Sequence, residues 1–155
     1  MKKLIILLIV LNTSLMVYAE EKIQRHGLSV DLFGMGGIIT VEYQYKLFSN
    51  NKHSLSINAG LGLGGLFYSA PVGLQYSYGG KNIILAGIYI LPEIIANEYD
   101  PGWTYYTRIS PKFGYQRKTQ LFFQDTYLHI YFSPMIDFDF GRFIPWFGLG
   151  IMQNF

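Results

Sequence analysis

The chain has 155 residues, enough for one domain, and is half hydrophobic and 17% aromatic with only 14% charged residues. A formal net charge of +2 does not supply the basic patch or stripe that a nucleic-acid partner needs. The absence of cysteine excludes disulfides, thiol chemistry and lipid attachment through a cysteine.

The first predicted element is a targeting segment. In "MKKLIILLIVLNTSLMVYAEE", Lys2 and Lys3 precede an apolar run from Leu4 to Leu11. That run is shorter than the roughly 20 residues a membrane-spanning helix needs. Val17 and Ala19 are the small or neutral residues of a secretory cleavage site. Residues 1–19 are therefore read as a cleaved signal peptide and 20–155 as the domain. Losing Lys2 and Lys3 from the twelve basic residues leaves ten against ten acidic ones, so the mature chain is formally neutral.

Beyond the signal the hydrophobic pattern has period two. "ITVEYQYKL" puts Ile39, Val41, Tyr43, Tyr45 and Leu47 on one face and Thr40, Glu42, Gln44 and Lys46 on the other. "SLSINAGLGL" and "VGLQYSY" repeat the pattern, which argues for strands rather than helices. Turn signals rich in Gly, Asn and Asp divide the chain at 33–37, 49–53, 62–68, 78–82, 93–103, 116–125 and 135–143. Seven connections give eight strands, predicted at 27–34, 37–48, 53–64, 67–79, 82–92, 103–116, 124–135 and 144–155. The fifth carries apolar residues on both faces and is taken to stop at Pro92.

Eight alternating strands build either a soluble barrel with an apolar inside or a membrane barrel with an apolar outside. Here the apolar face carries Tyr and Phe near strand ends, as an interfacial girdle does. The other face is Gly, Ser, Thr, Gln and single charges, suited to a narrow interior. The prediction is an all-β, eight-stranded antiparallel transmembrane β-barrel, an up-and-down meander. A closed barrel pairs its last strand with its first, so a chain ending "FGLGIMQNF" finishes inside the wall. Phe155 then resembles the terminal aromatic signal that outer-membrane barrels present to their assembly machinery. A second aromatic usually stands two residues earlier, and here that residue is Gln153.

The segments "GLSVDLFGMGGIITVEYQYKLF", "KHSLSINAGLGLGG", "FGYQR", "YLHIYFSPMI" and "FIPWFGLGIMQNF" occur in this order along nearly the whole mature chain. Together they resemble a family of small, largely uncharacterised outer-membrane β-barrel proteins of Gram-negative bacteria. His129 stands where that family has an arginine, and Phe132-Ser133-Pro134 replaces its Phe-Thr-Pro-like triplet. The resemblance implies the fold and an outer-membrane location with periplasmic termini, and it brings no accepted activity.

The inward charges Asp31, Glu42, Lys46, Arg108, Lys112 and His129 are predicted to form a lumen network, since a charge in a dry, narrow interior needs a partner. Glu42 and Arg108 are expected to meet across the axis. An enzyme reading, lipid A acyl transfer or deacylation, would need a histidine beside a nucleophile. His129 and Ser133 share a face but lie about 13 Å apart at strand rise. His26 precedes the first strand and His53 lies in a turn, so no catalytic residues are assigned. Asp137 and Asp139 are read as a solvated loop with Arg142 as partner rather than a cation site, and no metal or other cofactor is expected. Tyr99, Trp103, Tyr105 and Tyr106 of "NEYDPGWTYY", the outer-loop segment that leads into the sixth strand, are candidates for binding a ligand or protein. The partners expected are outer-membrane lipids and the barrel-assembly machinery, with no nucleic acid and a monomeric chain. The function read from this is a structural or interaction role behind a plugged polar lumen.

Overall fold

The structure, a computed structural model, describes residues 24–65, 67–96, 103–119, 125–137 and 141–155. The signal segment, Tyr99 and Asp139 lie outside the described residues. Eleven strand segments form one antiparallel sheet: β1 (His26–Leu32), β2 (Ile39–Ser49), β3 (His53–Leu63), β4 (Phe67–Ser69), β5 (Val72–Gly79), β6 (Asn82–Ala96), β7 (Trp103–Thr119), β8 (Thr126–Phe132), β9 (Met135–Asp137), β10 (Arg142–Ile144) and β11 (Phe147–Asn154). In chain order β4 with β5, β8 with β9 and β10 with β11 each act as one wall strand, giving eight. β1 pairs with both β2 and β11, so the meander closes into a barrel.

The three interrupted wall strands break at Ala70-Pro71, Ser133-Pro134 and Pro145-Trp146. Proline has no N–H for the ladder, so pairing lapses there. Pro92 behaves differently. It lies inside β6, which runs on to Ala96 instead of stopping at the proline. Pro92 faces the Ala70-Pro71 break, where its carbonyl accepts from Ala70 N at 3.0 Å and no ladder bond awaits its missing N–H.

Side chains alternate as the sequence implies, with the polar face inward. Ser29, Asp31, Thr40, Glu42, Gln44, Ser56 and Asn58 are buried, whereas Val30, Val41, Tyr43, Ile57 and Leu61 are exposed on the outside. The fifth predicted strand, apolar on both faces, splits cleanly. Leu85, Tyr89 and Leu91 point in, and Ile84, Ile88 and Ile90 point out. Tyr89, Leu91, Tyr131 and Met35 make a small apolar core inside the barrel.

Glycines on the inward face leave room for the two large rings. A Cβ at Gly73 would come within 2.5 Å of the Tyr89 ring, and one at Gly148 within 2.4 Å of the Tyr131 ring. Met35 reaches the core because the 33–38 connection dips into the barrel mouth instead of arching over it. Gly36 N donates to Thr40 Oγ1 at 3.1 Å, and Ser69 Oγ donates to Gly36 O at 2.8 Å. Gly36 also lies directly on Gly62, where a Cβ would come within 2.1 Å of the Gly36 oxygen. Gly62→Val is therefore expected to expel this connection and to cost about 1–3 kcal/mol, the usual penalty of overpacking. Urea unfolding of the folded barrel, with limited proteolysis at 33–38, checks it.

Candidate functional site

The polar groups of the lumen fall into three tiers. Toward the end opposite the termini, Arg108 pairs with Glu93, and its Nε lies 3.4 Å from Asp137 Oδ2. Glu93 and Asp137 are both buried. Nearby, Ser110 and Ser133 share a hydrogen bond of 2.6 Å, and Ser110 Oγ reaches the Pro134 carbonyl at 3.0 Å.

The middle tier holds two linked clusters. His129 Nε2 lies 2.8 Å from Asp31 Oδ1, and Tyr131 OH donates to Asp31 Oδ2 at 2.9 Å. Gly150 admits this pair, since a Cβ there would come within 2.2 Å of Asp31 Oδ1. Beside it, Lys112 Nζ stands 3.6 Å from Glu42 Oε1, which also accepts from Asn58 Nδ2 at 2.9 Å and from Tyr89 OH at 3.3 Å. The Lys112 ammonium sits 4.3 Å from the Tyr131 ring centroid and 5.1 Å from that of Tyr89. A cation over a desolvated aromatic face is worth up to about 2 kcal/mol. Lys112 thus ties both clusters to the apolar core.

At the terminus end, Gln44 Nε2 donates to Ser56 Oγ at 2.9 Å, and Lys46 Nζ donates to the Gln24 carbonyl at 3.1 Å. Lys118 pairs with Asp125 in the adjoining turn.

This arrangement corrects several expectations. Glu42 and Arg108 do not meet. Each has another partner at a different height: Arg108 is answered by Glu93, which the sequence reading does not single out, and by Asp137, which it places beside Arg142 instead. Lys46 stands at the rim rather than in the central network. Asp137 is not a solvated loop residue but a buried one, turned inward by the alternation that also buries Ser133 and Met135. Trp103, Tyr105 and Tyr106 belong to β7 and not to a loop. Trp103 and Tyr105 are exposed, and Trp103 lies 6.1 Å from the Tyr68 ring. Tyr106 faces inward, half-buried, with the Arg108 guanidinium 5.8 Å from its ring centroid.

The geometry also bears on catalysis. His129 spends Nε2 on Asp31, and its Nδ1 meets no hydroxyl among the described residues. Ser133 is engaged with Ser110 instead. His26 and His53 sit on the outer surface at the rim, against Tyr43 and Tyr76. Among the described residues no group of three or more potential ligands converges as a metal site would require. Phe155 lies in the wall at the closure, where Phe155 N donates to the His26 carbonyl at 2.9 Å and its ring stacks on His26 at 5.9 Å.

The sequence matches no family model and none of the curated proteins. Among solved structures the fold is similar to the N-terminal β-barrel domain of OprF from Pseudomonas aeruginosa. The TM-score is 0.57, and the match covers 84% of this chain and 95% of that domain at 13% sequence identity. At that identity the likeness is one of fold.

Proposed function

We propose that the chain is a small outer-membrane β-barrel of a Gram-negative envelope, with periplasmic termini and a plugged lumen, serving a structural or interaction role. The observation that carries this is the inverted burial: a continuous apolar belt outside and paired charges within. An apolar exterior of this extent in water would be an aggregation liability, whereas a closed barrel in lipid satisfies every backbone group internally. β2 and β3 have 11 residues each, the length of a tilted spanning strand. Met35, Tyr89, Leu91 and Tyr131, with the Glu42–Lys112 pair beside them, support the plugged reading. Monomeric behaviour is proposed because β1 and β11 close the wall, which leaves among the described residues only short unpaired edges at the outer end, along β10 and the start of β7.

A second reading, recognition at the outer end, is favoured by Tyr68, Trp103 and Tyr105, which expose large rings side by side. For the lipid-modifying alternative, no hydroxyl among the described residues meets His129 Nδ1. Fractionation of an epitope-tagged strain, followed by planar-bilayer conductance of the purified barrel, tests the main reading. Recovery outside the outer membrane, or a stable wide conductance, would overturn it. A deletion strain separates the roles: a leaky envelope with unchanged lipid A supports a structural one, and altered lipid A acylation supports the enzyme.

Deleting Phe155 is expected to lower the yield of folded barrel several-fold while leaving the lumen untouched, because the ring and the His26 pairing at the closure go together. A gel-shift assay of heat-modifiable protein measures it.

A further inference from the structure

Four strands begin at the terminus end of the barrel, and three of their entrances repeat one arrangement. The residue before each strand is an exposed cation: Arg25, Lys52 or Lys81. Their carbonyls accept from Lys46 N, Gly79 N and Lys118 N at 2.8, 2.8 and 2.9 Å. The next residues, His26, His53 and Asn82, stand opposite Tyr45, Tyr78 and Arg117. Each reaches diagonally to a tyrosine two residues further in. His26 Nδ1 lies 2.5 Å from Tyr43 OH, His53 Nδ1 meets Tyr76 OH, and Tyr115 OH donates to Asn82 Oδ1 at 2.7 Å. The fourth entrance departs from the pattern with Asp125, whose charge Lys118 answers.

The diagonal tyrosine has a chemical consequence. At Asn82 the phenol occupies the acceptor oxygen, which leaves the amide N–H₂ to donate outward. A phenol donating to Nδ1 of a neutral histidine does the same, because the ring proton then resides on Nε2. Each entrance therefore turns an oriented N–H donor to the outer face and, one residue earlier at the rim of the wall, carries an exposed cation; these are the two kinds of group that recognise an oxyanion. Neighbouring entrances are two strands apart, about 10 Å at the usual interstrand spacing. The tyrosines continue directly into the apolar belt. Among the described residues no carboxylate pairs with Arg25, Lys52 or Lys81.

We propose that these three entrances form a collar that binds the phosphodiester headgroups of anionic phospholipids in the leaflet at the terminus end. The occupant is a lipid rather than a free anion because the donors lie on the outer surface of the wall, at the edge of the apolar belt where headgroups sit. The proposal rests on the membrane reading above.

The test uses the full mature chain folded into phosphatidylcholine vesicles with and without about 20% phosphatidylglycerol. Native mass spectrometry or spin-labelled lipid reports which lipid stays bound. The wild type is expected to retain phosphatidylglycerol over phosphatidylcholine. Arg25→Gln/Lys52→Gln/Lys81→Gln should reduce that preference roughly five-fold or more, given the contribution of each cation near an anionic surface. Tyr43→Phe/Tyr76→Phe/Tyr115→Phe keeps the rings but releases the donors, and should reduce it by a smaller factor. Arg142→Gln, at the opposite end, should change nothing. Wild-type preference in both triple variants would overturn the collar, as would displacement of the lipid by about 10 mM inorganic phosphate, the mark of a free-anion site. Should the variants not fold, a wild-type preference undiminished at about 1 M salt overturns it equally, because exposed charges are screened there. Insertion into phosphatidylcholine without any preference defeats the collar alone. Failure to insert at all defeats the membrane reading and the collar with it.

Discussion

Lys112→Met is expected to destabilise the barrel by about 3–5 kcal/mol, the cost of stripping one partner from a buried ion pair. Methionine nearly preserves the stem's volume, so the loss falls on the charge. Glu42 is left only 2% exposed, with Asn58 and Tyr89 as its donors and no cation. The cation over the Tyr131 and Tyr89 rings goes as well. Glu42→Gln in the same background removes the orphaned charge and should recover a large part of the loss. Arg108→Met/Glu42→Gln should instead be additive, because Arg108 is committed to Glu93 and Asp137. Urea unfolding of the folded barrel in vesicles gives all of these values. Additivity for Lys112 with Glu42 would mean that the pair does not interact.

That contrast shows where sequence reasoning reaches its limit. Period two says whether a side chain points in or out, and it did so for Asp31, Glu42, Arg108, Lys112 and His129. It says nothing of height along the axis, which barrel shear sets between strands. Arg108 and Lys112 share the inward face of β7, yet four residues at strand rise put them about 13 Å apart. Choosing Arg108 as the partner of Glu42 required a height the pattern does not contain. Glu93 is hidden for a related reason: a proline such as Pro92 normally marks the end of a strand, which puts its neighbour in a turn. The inward dip at Met35 was hidden too. A Gly-rich stretch reads as a turn whichever way it folds, and only the contact between Gly36 and Gly62 reveals the direction. The inward course of Tyr106, by contrast, was available from its parity with Arg108.

Ile57→Arg is expected to cost about 2–4 kcal/mol and to depress insertion, because it puts a cation on the outer face near mid-wall. Ile57 is central in β3, exposed, and flanked across the sheet by Tyr45 and Leu74 on the same outward side. Leu63→Arg, at the last residue of β3, lies at an interface and should cost about 0–1 kcal/mol. The comparison depends only on depth, since both side chains are outward on one strand. Thr40→Arg is not a benign control for the inward face. Thr40 is 1% exposed and holds the Gly36 amide, so a longer side chain there would displace the connection that carries Met35. Its penalty would be steric and would persist in detergent, whereas that of Ile57→Arg should shrink when bilayer is exchanged for a thin detergent shell. Equal cost at Ile57 and Leu63, or an arginine at Ile57 that improves solubility without harming the fold, would mean that water rather than lipid surrounds this wall.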